Sequence, residues 1–347
     1  MLEGRIIMSK KVIVTGGAGF IGSHTAVQLV QAGYTPILID NFCNSERLVL
    51  ERLQQILNAQ VKLHAVDCGD RAAMDRVFAE EGEVYGLIHF AAHKAVGASM
   101  KQPLEYYRNN LGSLVTVLSA MAQAKVRRFV FSSSCTVYGQ PDVLPVTEQS
   151  PIKTAESPYG RTKQFCEDII ADHAAAGSDI GAVILRYFNP VGAHPSALIG
   201  ELPLGPPENL VPYITQTAVG IRQQLTVFGD DYDTPDGTCI RDYIHVVDLA
   251  SAHVKALEWI DRQPPNPSYE VFNVGTGKGS SVLEVIHAFE EASGTKLNYK
   301  IGPRRPGDVV QTYADVSKST RELGWKAERG ILEAMGDAYR WQLTLPR

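Results

Sequence analysis

The sequence predicts an α/β fold, a doubly wound parallel sheet followed by a smaller α+β domain. Short runs rich in Val and Ile alternate with helical stretches through the first half of the chain, and this pattern is typical of a parallel sheet covered by helices on both faces. Prolines crowd residues 190–212 and end the alternation. The length of 347 residues suits about two domains.

Several short apolar runs are the predicted strands of the sheet. We expect them at residues 11–15, 35–39, 61–66, 87–90, 129–132 and 180–185, with helices at 20–31, 110–124 and 159–176. The first helix is expected to end near Gly33, because glycine commonly follows the last turn of a helix. In such sheets a ligand binds beyond the carboxyl ends of the strands, where the strand order reverses.

The crowded prolines predict a domain boundary near residue 190. We expect one domain over residues 8–190 and a second over 191–347, with segment 239–262 packing back onto the first. Within the second domain the predicted elements are an extended stretch at 225–228, a strand and helix over 243–259, and helices at 211–223, 281–293 and 331–342. Residues 1–7 precede a Met-Ser-Lys-Lys run that resembles a natural start, so we expect them to lie outside the fold.

Composition and charge exclude several classes of protein. Lysine and arginine number 33 against 38 acidic residues, and the resulting net charge of −5 argues against a nucleic-acid-binding surface. No apolar run approaches the roughly 20 residues of a membrane helix, and no signal peptide is visible. The five cysteines form no close pairs, and the nine histidines show no metal-ligand spacing. We therefore expect a cytoplasmic protein with free thiols that binds no metal, membrane or nucleic acid.

A cluster of glycines lies between the first predicted strand and the first predicted helix. Gly16, Gly17, Gly19 and Gly22 fit GxxGxxG or GxGxxG, a fingerprint of dinucleotide binding when it follows a strand and opens a helix. Glycines allow a tight turn and a close approach to pyrophosphate, and the helix amino terminus offers N–H groups to the phosphates. A glycine-rich turn without a ligand is the alternative, but the context favours a Rossmann-type dinucleotide site.

Acidic residues at the ends of the next two strands bear on the choice of cofactor. Asp40 ends the second strand, where a carboxylate hydrogen-bonds the ribose hydroxyls and repels a 2′-phosphate. It therefore favours NAD over NADP, although Arg47 is nearby. Asp67 ends the third strand, where the adenine edge usually lies in such folds. A loop cap is an equally good interpretation of Asp67.

A tyrosine and a lysine in one predicted helix form a candidate acid–base pair. Ser157 and Pro158 suit the helix start, and Tyr159 and Lys163 share one face because they are four residues apart. A nearby ammonium and a positive nicotinamide lower the pKa of a tyrosine from its usual value of about 10, which makes the phenolate an accessible base. Ser134 follows the fifth strand and can relay a proton from a substrate hydroxyl; the alternative is a turn-forming serine.

Together these features resemble a known family. The glycine fingerprint, the strand-end aspartate, the triple serine and the Tyr-x-x-x-Lys pair are those of the extended short-chain dehydrogenases/reductases, and the chain resembles the UDP-glucose 4-epimerase branch of that family. The resemblance spans about residues 11–342 and is carried by segments 15–24, 40–45, 89–97, 132–139, 185–196 and 241–246.

The resemblance implies two adjacent binding sites around the catalytic residues Tyr159, Lys163 and Ser134. NAD would contact Gly16, Gly19, Phe20, Ile21, Gly22, Asp40, Asn41, Phe42, Cys43, Asn44, Ser45, Asp67, Cys68, Phe90, Ala91, Ala92, Lys94, Asn109, Ser132, Tyr159, Lys163 and Phe188. A UDP-sugar would contact Lys94, Ser134, Thr136, Tyr159, Tyr187, Asn189, Asn209, Leu210, Phe228, Arg241, Arg305, Asp308 and Thr312. The two arginines suit a diphosphate, since a guanidinium offers forked donors.

The resemblance also implies the reaction. An isomerase of galactose metabolism would interconvert UDP-galactose and UDP-glucose at C4 through a 4-keto intermediate, with NAD bound throughout and no net redox change. Dehydratases and decarboxylases of the family carry carboxylates where this chain has Cys135 and Thr136, so elimination is disfavoured. Another NAD-dependent enzyme that modifies UDP-sugars, or a non-catalytic NAD-binding regulator, stays open as an alternative.

One position bears on substrate breadth. In this family a residue four places after the Gly-Asp of the motif at 303–308 lines the N-acetyl side of the sugar, and here that residue is Thr312. Its small volume would also admit UDP-N-acetylglucosamine and UDP-N-acetylgalactosamine, unless Tyr313 fills the space. The family dimerises through two helices per subunit, here about 104–124 and 159–176, so we expect a homodimer.

Overall fold

The structure is a computed structural model that describes residues 10–264, 268–305 and 308–346. The predicted segment 1–7 and positions 306–307 of the motif at 303–308 lie outside the described residues. The first half of the chain alternates strands and helices as β1 (Lys11–Thr15), α1 (Phe20–Gln31), β2 (Thr35–Ile39), α2 (Arg47–Leu57), β3 (Lys62–His64), α3 (Arg71–Glu81), β4 (Gly86–His89), α4 (Val96–Lys101), α5 (Pro103–Gln123), β5 (Arg128–Ser132), a 3₁₀ turn (Cys135–Tyr138), α6 (Pro158–Ala175) and β6 (Gly181–Tyr187).

The second half has shorter strands and longer loops. Its elements are β7 (Asn189–Val191), α7 (Leu210–Ala218), β8 (Leu225–Phe228), β9 (Ile240–Arg241), β10 (Tyr243–His245), α8 (Val246–Asp261), β11 (Ser268–Val274), β12 (Ser280–Ser281), α9 (Val282–Ser293), β13 (Tyr299–Gly302), β14 (Gln311–Thr312), a π-helical turn (Ser319–Leu323) and α10 (Ile331–Leu343).

The main sheet confirms the predicted α/β class. Within the described residues it has seven strands in the order β11-β6-β5-β4-β1-β2-β3, and all of its pairings are parallel. The strand order reverses between β1 and β4, so the carboxyl ends of these two strands flank the point where such sheets bind ligands.

The edge strand β11 is absent from the sequence prediction, which assigns its residues to the second domain. The structure corrects this, since β11 pairs with β6 from Ser268 opposite Gly181 to Val274 opposite Tyr187. The first four residues of β11 are only half-buried, and prolines precede the strand in the sequence. An exposed edge strand carries a weak apolar pattern, and the prolines make the region look like a loop. Helix α8 packs on α1, so two elements of the second half cover or extend the main sheet.

The bounds of several other elements also differ from the prediction, most of all at α5 and α7. Helix α5 begins at Pro103 instead of residue 110. The prediction missed its first turns because most of their side chains are exposed, with Tyr106 as the buried exception, and they form no regular apolar face. Helix α7 ends at Ala218 instead of Gln223, because Gly220 has a φ of 81° and terminates the helix. Strand β3 covers only part of the predicted run at 61–66.

Two apolar clusters cover the two faces of the main sheet. Successive residues of β1 point to opposite faces, so Val12 and Val14 belong to one cluster and Ile13 to the other. A separate cluster that includes Val211 and Phe289 forms the core of the second part of the chain. None of the described helices is long and apolar enough to cross a membrane.

Candidate active site

A cleft of about 1170 Å³ lies along the carboxyl ends of the main-sheet strands. Its lining comes from the residues that follow β1 to β5, from the end of β6, and from the loops around α7, β8, β9 and β14. Because the strands of the sheet are parallel, side chains that are far apart in the sequence meet at this edge.

The glycine turn between β1 and α1 has no room for side chains. Gly16 has a φ of 67°, in the left-handed region, and a Cβ on Gly22 would lie 2.3 Å from the carbonyl oxygen of Gly16. Gly19 caps α1 without a side chain, so it provides no acceptor for the first-turn N–H groups that a helix leaves unpaired. This end of α1 lines the cleft and therefore fits an anionic pyrophosphate.

Asp40 joins the end of β2 to the glycine turn. Its carboxylate accepts hydrogen bonds from the backbone N–H groups of Ala18 and Phe42, both at 2.9 Å, and from the Ser45 hydroxyl at 2.8 Å. Asp40 is buried and lines the cleft. These bonds fix the orientation of a negative charge beside the turn, at the position that disfavours a ribose 2′-phosphate.

Asp67 fits both of its interpretations. One carboxylate oxygen accepts a hydrogen bond from the backbone N–H of Gly69 at 2.7 Å, as a loop cap does, and the other accepts from the Asn41 amide at 3.1 Å. Both Asp67 and Asn41 line the cleft. The side chain therefore caps its loop and also faces the region predicted for adenosine.

The tyrosine–lysine pair lies at the amino-terminal end of α6. The Ser157 hydroxyl caps this helix by accepting from the Gly160 N–H at 3.1 Å. The Lys163 ammonium donates to the carbonyl oxygen of Ser132 at 2.7 Å and lies 5.9 Å from the centre of the Tyr159 ring. Burial lowers the pKa of Lys163 to about 8, so the lysine keeps most of its charge at neutral pH.

Tyr159 faces the end of β5 and is buried. Burial raises the pKa of its phenol, whereas a hydrogen bond with Ser134 lowers it. The Ser134 hydroxyl also accepts from the Thr136 N–H at 3.2 Å, as a turn-forming serine does, and its role as a relay stays a prediction. Without an added positive charge the site keeps Tyr159 protonated, and a bound cation beside the ring would favour the phenolate.

The opposite end of the cleft is formed by the second part of the chain. Arg241 and Thr312 are paired neighbours on β9 and β14, and both line the cleft. The Arg305 guanidinium donates to Asp308 at 2.7 and 3.1 Å and lies 5.8 Å from the centre of the Phe228 ring. An aromatic ring that is 43% exposed, with Arg305 beside it and Arg241 in the lining of the same cleft, suits a base and a diphosphate.

The structure brings all but one of the predicted site residues to the cleft. Phe42 is the exception: it does not belong to the cleft lining, and its ring lies 4.7 Å from the guanidinium of Arg47. Phe42 has a φ of 56°, a strained conformation for a residue with a side chain, and its backbone N–H donates to Asp40. The structure therefore does not place this ring at the cleft, and a contact of Phe42 with NAD stays a prediction.

Glu201 is a cleft residue that the sequence analysis misses. Its Oε1 accepts from the Lys94 ammonium at 3.3 Å and from the Asn209 amide at 2.6 Å, which links two of the predicted substrate residues. Glu201 lies in a proline-rich loop without a periodic pattern. Its sequence neighbours therefore gave no sign that its side chain lines the cleft.

The model of the NAD dependent epimerase/dehydratase family matches residues 12–275. The chain belongs to this family. It is 50% identical to UDP-glucose 4-epimerase 2 of Arabidopsis thaliana, over 98% of this chain and 97% of that protein. It is also 49% identical to UDP-glucose 4-epimerase of Bacillus subtilis, over 95% of this chain and 96% of that protein.

Solved structures of this family share the fold over nearly the whole chain. UDP-glucose-4-epimerase from Stenotrophomonas maltophila, with bound NAD and formylated UDP-arabinopyranose, has a TM-score of 0.93 and 47% identity and covers 96% of this chain and 98% of its own. UDP-glucose 4-epimerase from Bifidobacterium longum, in complex with NAD+ and UDP, has a TM-score of 0.91 and 50% identity with the same coverage. The shared fold therefore includes both the main sheet and the second part of the chain.

Proposed function

We propose that this member of the epimerase/dehydratase family interconverts UDP-galactose and UDP-glucose by inversion at C4 and uses tightly bound NAD. The observation that carries the proposal is that Tyr159 and Ser134, both buried, line one cleft together with Lys163, whose ammonium lies 5.9 Å from the centre of the Tyr159 ring. The two ends of this cleft are built differently. One end has the glycine turn and Asp40, and the other has Phe228 and arginines. Relatives that match nearly the full chain carry the same activity in their names.

The glycine turn, Asp40 and the first turn of α1 fit NAD, and these residues would hold its pyrophosphate and ribose. The chemistry that bound NAD supplies is the reversible uptake of a hydride from the sugar C4. A side chain at Gly16, Gly17 or Gly22 would meet neighbouring atoms at 3.0 Å or less, which is the close packing that this backbone cradle requires. Among the cleft residues, Arg241 and Arg305 would anchor the UDP diphosphate.

Proton transfer at the sugar 4-hydroxyl falls to this chain's own residues. Tyr159 as phenolate accepts the proton, and Ser134 relays it between the sugar hydroxyl and the phenol. The Lys163 ammonium stabilises the phenolate, and its bond to the Ser132 carbonyl holds it in place. In the second half of the reaction the same groups return the proton, so the chain ends each cycle in its starting state.

Two residues favour epimerisation over elimination. Cys135 and Thr136 stand where dehydratases and decarboxylases of the family carry carboxylates. Burial raises the pKa of the Cys135 thiol to about 12, so this thiol cannot act as a base near neutral pH. The Thr136 hydroxyl cannot replace a carboxylate either. A non-catalytic NAD-binding regulator would not need Tyr159, Lys163 and Ser134 together at the cleft.

Conversion of UDP-galactose by the purified protein without added NAD tests the proposed function. We expect UDP-glucose to accumulate until the two sugars reach equilibrium. A 4-keto-6-deoxy product would indicate a dehydratase. In a parallel sample with NAD added, consumption of NAD in proportion to product would indicate a dehydrogenase. Bound NAD without any conversion would support the regulator and contradict the proposal.

Asp40→Asn is expected to weaken the preference for NAD over NADP by about tenfold, because the variant loses the charge that repels a 2′-phosphate. Asparagine keeps one acceptor oxygen for the glycine turn. The measurement is titration of the cofactor-free protein with each dinucleotide. Asp75→Asn is the matched control, since Asp75 forms a surface pair with Arg71 on α3; an unchanged preference in Asp40→Asn would contradict this role.

Thr312→Tyr is expected to abolish turnover of UDP-N-acetylglucosamine and to spare UDP-galactose. Thr312 lines the cleft whereas Tyr313 does not, and Tyr313 packs towards Gly279, where a Cβ would lie 3.2 Å from its ring. A tyrosine at 312 would therefore grow into the sugar pocket and clash with the larger N-acetyl group. Rates with both substrates test this, and equal loss of both would contradict it.

Assembly and location extend the proposal. A homodimer through α5 and α6 is supported by apolar residues exposed on α5, with Leu104 75% and Val115 49% exposed. Leu114 and Leu118 of the same helix are buried in the sheet core and are not available to a partner.

A cytoplasmic location is supported by five free cysteines, because the cytoplasm keeps thiols reduced. We propose that the residues after 190 form the UDP-sugar-binding domain, except for α8 and β11, which belong with the NAD-binding domain.

A further inference from the structure

A buried ion pair lies behind the serine segment that ends β5. Glu167 of α6 and Arg186 of β6 are 5% and 6% exposed. The Arg186 guanidinium donates to the Glu167 carboxylate at 2.5, 3.0 and 3.2 Å. Neither residue belongs to the lining of the cleft, so the pair does not touch a ligand bound there.

The pair is attached to the serine segment through Ser133. The Ser133 hydroxyl donates to the same carboxylate of Glu167 at 2.5 Å, and the Ser133 N–H donates to the carbonyl of Leu185 at 2.9 Å. Ser133 is fully buried and does not line the cleft, whereas Ser132 and Ser134 on either side of it do. Ser133 therefore points away from the ligand and towards the ion pair.

The other side of Ser134 is held by the same ion pair. Arg186 donates to the Tyr138 hydroxyl at 3.1 Å, and that hydroxyl donates to the Asn273 side chain at 2.6 Å. Tyr138 ends the 3₁₀ turn that begins directly after Ser134. The short segment that carries Ser134 is thus fixed at both of its ends.

A buried ion pair is a poor source of stability, because desolvation of the two charges offsets most of their attraction. This pair connects α6, β6 and the serine segment instead. Glu167 stands one helical turn after Lys163 and two after Tyr159, so one rigid helix face carries the base, the ammonium and the anchor of the serine segment. The distance from Ser134 to Tyr159 is therefore set through this helix.

We propose that Ser133 and the Glu167–Arg186 pair are positioning residues that hold the Ser134 hydroxyl against Tyr159 for proton transfer. The inference rests on the proposed function, because it assigns a role to Ser134 in the same reaction. Small displacements of a catalytic group lower rates strongly, whereas substrate and NAD contacts stay intact because neither Ser133 nor the pair lines the cleft.

A double-mutant cycle between positions 133 and 134 tests the proposal. Ser133→Ala removes only the hydroxyl and leaves Glu167 paired with Arg186. We expect it to lower kcat about tenfold with unchanged KM and unchanged NAD content. In the Ser134→Ala background, where there is no hydroxyl left to position, the same change is expected to lower kcat less than about twofold.

Ser319→Ala is the matched control. Ser319 is also fully buried and donates to one backbone carbonyl, that of Val316 at 3.0 Å, but it lies in the π-helical turn outside the cleft. We expect this variant to keep the wild-type kcat even if its melting temperature falls as much as that of Ser133→Ala. Equal losses in both backgrounds, or no loss in either, would overturn the positioning role. A wild-type protein that is inactive on both sugars would overturn the proposed function as well.

Discussion

Tyr159→Phe lowers kcat for UDP-galactose by about 10³-fold if the phenol is the acid–base group, because phenylalanine can neither take nor return the proton. The ring stays, so its place beside Lys163 is kept, and the expected contacts with NAD are kept as well. We expect the NAD content of the purified variant and its affinity for UDP to equal those of the wild type. The measurement combines initial rates with the nucleotide content of the protein.

Tyr339→Phe is the control for this loss of a phenol hydroxyl. Tyr339 packs edge-on against Phe289 in the second core, its hydroxyl lies 3.4 Å from that of Thr295, and it does not line the cleft. This variant is expected to keep the wild-type rate. A Tyr159→Phe protein that retains more than about a tenth of the wild-type kcat would exclude Tyr159 as the acid–base group.

Lys163→Met lowers kcat by about 10²- to 10³-fold without lowering the melting temperature. The rate falls because the phenolate of Tyr159 loses its neighbouring positive charge. Stability does not fall, because burial lowers the pKa of Lys163 from 10.5 to about 8, which means that the fold bears a cost for holding this charge. That cost is about 3 kcal/mol, and methionine removes it while giving up the hydrogen bond to Ser132.

The pH dependence of this difference in stability has a definite sign. Below about pH 8 the buried lysine is charged in the folded protein, so the wild type bears the full cost relative to the variant. As the pH rises from about 8 towards 10.5, the folded protein loses this proton before the unfolded chain does. The stability of the cofactor-free wild type should therefore rise towards that of Lys163→Met in this window.

Thermal unfolding of the cofactor-free proteins at several pH values checks the second prediction. Lys255→Met on α8 is the control, because Lys255 pairs with Glu258 at 2.8 Å and its side chain is 42% exposed. We expect this variant to keep its activity and to show no such pH-dependent difference. A Lys163→Met protein that unfolds well below the wild type at neutral pH would show that the ammonium is mainly a structural group.

Local features explain why much of the site could be predicted from the sequence. Short sequence patterns of a few residues identify the glycine turn, Asp40 and the Tyr159 helix. Parallel strands then bring their carboxyl ends to one edge of the sheet. Once the strands were known, the meeting of these groups followed from topology. The helix bounds of α1 agree with the prediction because its cap and its end are both marked by glycines.

Contacts between distant segments explain what could not be predicted. Two sets of hydrogen bonds join segments whose sequences carry no common pattern. Glu201 bonds to Lys94 and Asn209, and Glu167 bonds to Ser133. Strand β11 was missed because its edge position leaves half of it exposed. The ring of Phe42 lies against Arg47. Residue spacing in the sequence does not specify the backbone φ of Phe42, so this placement could not be predicted.

The most direct test of the central claim follows the hydrogen at C4 of the sugar. UDP-galactose that carries deuterium at C4 is incubated in ordinary water with the purified protein, without added NAD, and the UDP-glucose formed is examined by mass spectrometry and NMR. The account predicts that the product keeps its deuterium at C4, because this hydrogen leaves and returns as a hydride, which does not exchange with water, while only the hydroxyl proton passes through Tyr159. Loss of the deuterium to water at C4 would contradict it.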